Sequence, residues 1–261
     1  MRDMKRLTAV LLSFLLSLVL ASCASESGSD MPSDEELAGP EWQSLFNGRD
    51  LSGWTVKAEG GEAVWSVQNG VIDCDPRTQP SGDKSLWSEQ EFGDLQLYLE
   101  WRIKETRGEY MMPTILPNGT YERDENGEVI ETPRPNADSG VYLRGSSKAQ
   151  VNIWCWPVGS GEVYGYRTDE SMPTEVRAGV TPNVNADNPV GEWNTFLITM
   201  DGERLTVVLN GETVLDNVRL PGVPESGPLA LQHHGGYNED TGEWNPASSL
   251  VQFRDIYVKE L

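Results

Sequence analysis

Residues 138–166 read DSGVYLRGSSKAQVNIWCWPVGSGEVYGY and contain two runs in which apolar and polar side chains alternate. Alternation with a period of two is typical of β-strands, because neighbouring side chains in a strand point to opposite faces. In the first run, Val141 and Leu143 share one face, whereas Tyr142 and Arg144 share the other. The first face is predicted to join the core. The second combines an aromatic ring with a hydrogen-bonding cation.

The second run repeats this arrangement with larger rings. Its apolar face carries Val151, Ile153 and Cys155, and its opposite face carries Gln150, Asn152, Trp154 and Trp156. Aromatic rings flanked by amides are typical of a site for a small polyhydroxylated ligand. The alternative is an antiparallel face that meets water and uses Trp for cross-strand packing.

The rest of the chain is predicted to be all-β. Residues 94–103 alternate throughout their length, and 193–200 and 251–261 are further predicted strands. Asn-Gly pairs at 69–70 and 210–211 predict tight hairpins, whereas amphipathic helices of ordinary length are not apparent in the sequence. Many short strands joined by Gly and Pro turns predict an antiparallel sandwich or jelly roll.

The N-terminal residues predict export and lipidation. Arg2, Lys5 and Arg6 precede an apolar segment, 7–20, that is too short for a stable membrane span. Leu-Ala-Ser-Cys at 20–23 reads as a lipobox, with an ordinary signal peptide as the alternative. We therefore expect a lipoprotein signal peptide at 1–22, lipidation of Cys23, a flexible tether at 23–40 and one domain at 41–261. The expected location is the bacterial cell envelope, either periplasmic or anchored in the outer membrane.

The charge restricts the classes of partner. A net charge of -21 disfavours nucleic acid and anionic membrane surfaces, whereas a neutral sugar is unaffected. Membrane contact is therefore expected only through the lipid. Cys74 and Cys155 are compatible either with a disulfide or with two free thiols. The sequence does not set the oligomeric state.

Residues 105–136 interrupt the strand pattern and are predicted to form an insertion that serves as a wall or lid of the site. Within it, residues 124–128 read DENGE, which suggests either a calcium loop or a hairpin tip. The Asn-Gly pair at 126–127 favours the hairpin tip, since the full EF-hand spacing is absent from the sequence.

The two histidines of the chain are adjacent. His234 shares the Gln232 face and is a candidate for proton transfer, whereas His233 belongs with the core leucines unless the strand ends before it. Glu100, Asp138 and Arg144 could add carboxylates and a cation. The sequence lacks the closely spaced carboxylates of laminarinase-type glycosidases, a Gly-x-Ser-x-Gly elbow and an HExxH motif.

Seven short motifs follow one another between Trp42 and Leu261. They are LFNGRDLSGW (45–54), LEWR (99–102), SGVYLR (139–144), GEWNT (191–195), LNG (209–211), LQHHG (231–235) and FRDI (253–256). In this order they resemble the 3-keto-disaccharide hydrolase domain family. The resemblance implies a concanavalin A-like jelly roll of two curved antiparallel sheets, with ligands on the concave one. It also implies action on glycosides oxidised to a ketone at sugar carbon 3.

Such a ketone acidifies the hydrogen at carbon 2, so a base can remove it and the group on carbon 1 can leave by elimination. Addition of water then completes a net hydrolysis, and paired glycosidase carboxylates become unnecessary. For this chemistry we hypothesise that His234 or Glu100 is the base and that Arg144 with Gln232 holds the enolate and the sugar hydroxyls. Asp138 is a candidate acid or ligand of a divalent metal. This divalent metal is the one cofactor that the sequence suggests.

The remaining predicted substrate contacts are Tyr142, Gln150, Asn152, Trp154, Gln232 and His233. A non-catalytic carbohydrate-binding jelly roll of the cell envelope is the alternative function, and a structural envelope protein without sugar affinity is a third.

Overall fold

The computed structural model describes residues 31–76, 82–245 and 247–261, so Cys23 and the predicted signal peptide lie outside the described residues. The strands in chain order are β1 (Gln43–Ser44), β2 (Trp54–Val56), β3 (Trp65–Gln68), β4 (Val71–Cys74), β5 (Leu86–Phe92), β6 (Leu95–Ile103), β7 (Glu109–Pro113), β8 (Glu131–Pro135), β9 (Asp138–Leu143), β10 (Ser146–Trp154), β11 (Asn194–Asp201), β12 (Arg204–Leu209), β13 (Glu212–Arg219), β14 (Gly227–Leu231), β15 (Tyr237–Asn238), β16 (Glu243–Trp244) and β17 (Val251–Glu260). The helices are α1 (Asp34–Leu37), α2 (Tyr164–Arg167) and α3 (Thr174–Gly179), with a 3-10 turn at Gly61–Val64.

Two antiparallel sheets pack face to face. The large sheet has eight strands in the order β13-β12-β11-β6-β17-β4-β3, with β1 paired to β17, and the small sheet has the order β10-β9-β14-β5-β2. The hairpins β7-β8 and β15-β16 stand apart from both. The protein is thus an all-β jelly-roll sandwich of the concanavalin A-like type, as predicted.

The core lies between the inner faces of the two sheets. Leu97 and Leu99 on β6 are at most 1% exposed, and so are Val141 and Val151 on the small sheet. Burying a side chain of this size contributes about 1.5–3 kcal/mol to folding. The alternation in the sequence therefore predicted the inward faces correctly.

Two tight hairpins fix the register of the large sheet. Asn69 and Gly70 connect β3 to β4, and Asn210 and Gly211 connect β12 to β13, all with positive φ. Two-residue turns of this kind need a left-handed backbone at both positions, which Asn and Gly adopt with little strain. Both predicted hairpins are confirmed.

Residues 31–40 differ from the flexible tether predicted for them. The Ser33 hydroxyl caps α1 by accepting from the Glu36 backbone N–H. In return, the Glu36 carboxylate accepts from the Ser33 backbone N–H. Leu37 is buried against Tyr98 on the outer face of the large sheet. Composition indicated disorder here, but a reciprocal cap and one buried leucine are enough to dock the segment.

The insertion at 105–136 forms the β7-β8 hairpin with a long extension. At its end, Asp124 Oδ1 accepts from the backbone N–H groups of Asn126 and Glu128, and Gly127 has a φ of 86°. This geometry confirms the predicted turn at 124–128.

Both cysteines within the described residues are free thiols. Cys74 is fully buried on β4 of the large sheet, whereas Cys155 follows β10 of the small sheet. Burial raises the pKa of the Cys155 thiol to about 11. Within the described ranges, no helix is long and apolar enough to cross a membrane.

Candidate functional site

Polar side chains collect on the outer face of the small sheet, which is the face turned away from the core. Strand pairing places Tyr142 of β9 beside Ala230 of β14 and Gln150 of β10. It also aligns Gly140 with Asn152. A cavity of about 350 Å³ lies over this face. Its lining includes Asp138, Gln150, Asn152, Trp154, Trp156, Tyr164, Gln232 and His234.

The floor of the cavity depends on Gly140. A Cβ added there would lie 2.4 Å from Gln150 Nε2, so the Gln150 side chain occupies the space that any larger residue would fill. Gln150 Nε2 donates to Gln232 Oε1 at 2.6 Å and to the Ser139 carbonyl at 3.1 Å. Gln150 thereby fixes the Gln232 amide, and the Tyr142 hydroxyl is hydrogen-bonded to Gln232.

Asp138 and His234 form the titratable part of the cavity. Asp138 Oδ2 lies 4.0 Å from His234 Nδ1, while Asp138 Oδ1 is buried without a hydrogen-bond partner. Burial raises the pKa of Asp138 to about 6, partly offset by the neighbouring His234. Because these two groups interact, the charge of each one affects how readily the other takes up or releases a proton.

The backbone after β16 determines which nitrogen of His234 can act as a base. Nδ1 lies 2.9 Å from the carbonyl oxygen of Ala247, which only accepts hydrogen bonds. The neutral imidazole therefore carries its proton on Nδ1 and leaves Nε2 unprotonated. Ser249 Oγ accepts from the His234 N–H at 2.7 Å and donates to the Asp138 carbonyl at 2.6 Å, so it joins the two segments.

Three aromatic rings form one wall of the cavity. Trp154 and Trp156 stack with centroids 4.2 Å apart and planes 3° apart, and Tyr164 lies edge-on to both at 6.2 Å. Tyr164 begins α2, which approaches β10 closely because Gly165 has no side chain. A Cβ at Gly165 would lie 2.7 Å from the Lys148 carbonyl oxygen.

A buried ion pair supports this wall. Arg167 donates from Nε to Glu162 Oε1, and both side chains are at most 1% exposed. The Arg167 guanidinium also lies over the rings of Tyr121, at 4.9 Å, and Tyr164, at 5.3 Å. The insertion thus contacts the wall of the cavity through Tyr121.

Glu100 does not join the other candidates. It lies on the outer face of the large sheet, where it binds Arg254 at 2.6 Å, and it lines a separate cavity with Tyr98 and Asp255. Alternation assigned Glu100 correctly to the polar face of β6, but that face belongs to the other sheet. The expectation that Glu100 lies with Asp138 and His234 is therefore wrong.

Arg144 is also absent from the cavity. It has a φ of 50° in the two-residue turn after β9, and this turn directs its side chain to the edge of the sandwich. There it is 2% exposed and donates to Asp94 and to the carbonyls of Gly93 and Gly202. The expected contact with an enolate is wrong, because the strand ends one residue before Arg144.

His233 lies near this cavity but does not line it. Strand β14 ends at Leu231, and the His233 N–H donates to Ser85 Oγ at 3.5 Å. Burial lowers the pKa of His233 to about 4, and its Nε2 has no partner.

The sequence interpretation missed Tyr164, Ala247 and Ser249, and it placed Trp156 on the correct face without assigning it to the site. The Trp-x-Trp spacing was a usable signal for Trp156. The roles of Ala247 and Ser249 rest on backbone contacts that leave no pattern in the sequence. Among the described residues, no group of three or more His, Cys, Asp or Glu side chains could hold a metal ion.

The 3-keto-alpha-glucoside-1,2-lyase-like domain family matches residues 41–259. The chain belongs to this family. The match covers the site and both sheets, and it supports a carbohydrate-active function for this lyase-like domain. No curated protein sequence matches the chain.

Solved structures resemble this lyase-like domain in fold. A candidate glycosyl hydrolase from Parabacteroides distasonis ATCC 8503 is 21% identical with a TM-score of 0.51, and the match covers 85% of this chain and 84% of the other. A second candidate glycosyl hydrolase from the same organism is 18% identical with a TM-score of 0.52. This match covers 88% of this chain and 98% of the other. At these identities, the similarity concerns the fold alone.

Proposed function

We propose that the protein cleaves glycosides whose sugar carries a ketone at carbon 3, by elimination across carbons 2 and 1 followed by hydration. The observation that carries this proposal is the Asp138–His234 pair beside a polar and aromatic cavity. Among the described residues that line the cavity, Asp138 is the only carboxylate. Ordinary glycosidases need two carboxylates, whereas the elimination needs one base and one acid.

The proposed base is His234 Nε2. Its lone pair takes the hydrogen of carbon 2 as a proton, and the electrons of the C–H bond move towards the ketone to form an enolate at the carbon 3 oxygen. The contact from Nδ1 to the Ala247 carbonyl supports this role, because it holds the neutral tautomer with Nε2 free.

The Gln232 amide is proposed to donate to the enolate oxygen, and the Asn152 amide oxygen is proposed to accept from a sugar hydroxyl. Gln150 already occupies Gln232 Oε1, which leaves the Gln232 nitrogen as the group that donates. Asn152 is 3% exposed and its Oδ1 has no partner, so a ligand hydroxyl can complete its bonding. A donor held in place, as the Gln232 nitrogen is, stabilises the negative charge that develops on the carbon 3 oxygen in the transition state.

The proposed acid is Asp138. As the enolate reforms the ketone, a double bond forms between carbons 1 and 2, the bond from carbon 1 to the leaving oxygen breaks, and that oxygen takes the Asp138 proton. Asp138 then takes a proton from the water whose hydroxyl adds to carbon 1, and protonated His234, after exchange with solvent, returns a proton to carbon 2. A pKa raised to about 6 by burial suits a group that must donate a proton near neutral pH.

The test compares 4-nitrophenyl 3-keto-glucoside with the unoxidised 4-nitrophenyl glucoside in deuterated water. We expect rapid release of nitrophenol from the keto substrate alone, with deuterium at carbon 2 of the sugar product. After direct hydrolysis carbon 2 should exchange no faster than in free 3-keto-glucose, so nitrophenol release without deuterium above that control would contradict the elimination.

A carbohydrate-binding role without chemistry is the second candidate. The stacked Trp154 and Trp156 and the perpendicular Tyr164 favour it, since such rings bind sugars without assistance from a base. Saturable binding of the keto substrate without any turnover would support this role against the enzyme.

The proposed location is the cell envelope, with the lipid on Cys23 as the anchor. Its support is the sequence at 20–23 following a charged and apolar leader. In a bacterial host, Cys23→Ser is expected to move the protein from the membrane fraction to the soluble fraction.

A further inference from the structure

A second cavity of about 280 Å³ shares Trp154 and Trp156 with the first. Its inner wall includes Trp101 and Ile103 of β6, so it reaches from the end of the small sheet to the large sheet. Its other wall is the segment 185–190, in which Asn185 and residues 188–190 are exposed, so the cavity opens towards solvent.

Two side chains that line this cavity carry buried polar atoms without partners. Trp101 is 1% exposed, and its Nε1–H donates to no protein group. Asp187 accepts from the Ser160 N–H at 2.8 Å through Oδ2, while Oδ1 has no partner. Unsatisfied buried groups are rare in folded proteins, and two beside one cavity indicate that something else completes their bonding.

The two orphan groups restrict the chemistry of a ligand. A cation would pair with Asp187 but would leave the Trp101 N–H without an acceptor. An anion would accept from Trp101 but would be repelled by Asp187 and by the net charge of -21. A hydroxyl group both donates and accepts, so a hydroxylated neutral ligand satisfies both groups.

We infer that this cavity is a second binding site, which takes a neutral hydroxylated ring such as a pyranose. The stacked Trp154 and Trp156 supply an aromatic surface, and the size of the cavity suits one small ring. The choice of a sugar rests on the proposed function. The ring belongs either to the leaving group of the same glycoside or to a separate sugar molecule.

The test follows the Trp101 indole N–H by nuclear magnetic resonance, using unoxidised methyl α-glucopyranoside so that no turnover is needed. Trp101→Phe removes the resonance and so identifies it. We expect a saturable shift of this resonance in the wild-type protein. Asp187→Ala should weaken the affinity about tenfold, as expected for one lost hydrogen bond to a charged group.

Asn152→Ala is the matched control, because it alters the first cavity and should leave the Trp101 titration unchanged. An unchanged resonance of the Trp65 indole, which lies on β3 and donates to the Lys84 carbonyl, shows that Asp187→Ala is folded. In a second approach, Trp101→Phe in the Asn152→Ala background should lower the affinity measured by calorimetry about tenfold.

A maltose titration distinguishes the two sources of the ring. One binding event that Asn152→Ala and Asp187→Ala both weaken indicates a single glycoside spanning both cavities, whereas independent effects indicate separate molecules. A Trp101 resonance that stays fixed at saturating sugar overturns the inference. A protein that shifts this resonance without cleaving keto glycosides retains the second site and loses only the proposed reaction.

Discussion

The two outer faces of the sandwich have similar compositions and different bonding. On the large sheet, Glu100 binds Arg254, and the guanidinium groups of Arg102 and Arg254 lie over the Trp193 ring, 4.7 and 4.1 Å from its centroid. On the small sheet, Asp138 and Asn152 each keep a buried oxygen without a partner. Aromatic and polar residues therefore do not identify a site by themselves. Polar groups that the protein leaves unsatisfied are the better indicator.

The largest expected difference between the faces concerns turnover of 3-keto glycosides. His234→Ala should lower kcat by about 10²–10⁴-fold, because it removes the base. The matched change on the large sheet, Glu100→Gln, should leave kcat at the wild-type value. Steady-state kinetics on both variants decide this, and a normal rate for His234→Ala would remove that residue from the mechanism.

Asp138→Asn should lower turnover by a factor that depends on the leaving group of the substrate. A methyl 3-keto-glycoside needs a proton on its leaving oxygen, so its turnover should fall by about 10²-fold or more. A 4-nitrophenolate leaves without a proton, so its release should change little. Equal losses for both substrates would contradict the role of Asp138 as an acid.

The pH dependence follows from the same carboxyl. Its pKa is raised to about 6, so the acid form that donates is present below that value and is lost as the pH rises through it. We therefore expect kcat/KM for the methyl substrate to decline above about pH 6. The wild-type enzyme with the nitrophenyl substrate, whose leaving group needs no proton, should lack this decline, and the same decline with that substrate would assign the titration to another group.

Replacing one tryptophan on each face by alanine is expected to change KM by a smaller factor. Trp156→Ala removes a ring that lines the cavity, and KM should rise about tenfold, in line with about 1.4 kcal/mol of lost contact. Trp193→Ala removes the ring that the Arg102 and Arg254 guanidinium groups contact beside the large sheet, and KM should stay unchanged. Similar rises in both variants would show that the effect is not local to the cavity.

The smallest expected effect concerns stability. Glu100→Gln weakens a partly exposed ion pair with Arg254, so the free energy of unfolding should fall by no more than about 1 kcal/mol. Urea denaturation of wild type and variant measures the change. A much larger loss would show that the pairs on the large sheet carry more of the fold than their exposure indicates.

The fold could be predicted from the sequence because its determinants are local. The period of two in β6, β9 and β10 assigns inward faces, and Asn-Gly pairs at 69–70 and 210–211 define hairpins. These signals depend only on neighbouring residues, so they do not require knowledge of which strands meet.

The site could be predicted only in part, for three physical reasons. Alternation sorts the faces of one strand but does not say which sheet the strand joins, and this misplaced Glu100. A two-residue turn redirects the side chain that follows a strand, and this misplaced Arg144. The tautomer of His234 depends on the Ala247 carbonyl, a backbone group whose direction no residue type specifies.

The contact between α1 and the large sheet determines on which side of the sandwich the described chain begins. Met31 and Leu37 pack on the outer face of the large sheet, so the chain enters the domain on the side opposite the Asp138–His234 cavity. The first described residue, Met31, therefore lies away from the cavity mouth. A sensor chip that captures the protein by its N-terminus should therefore present the cavity to ligands, whereas one that couples through the insertion at 105–136 should obstruct it.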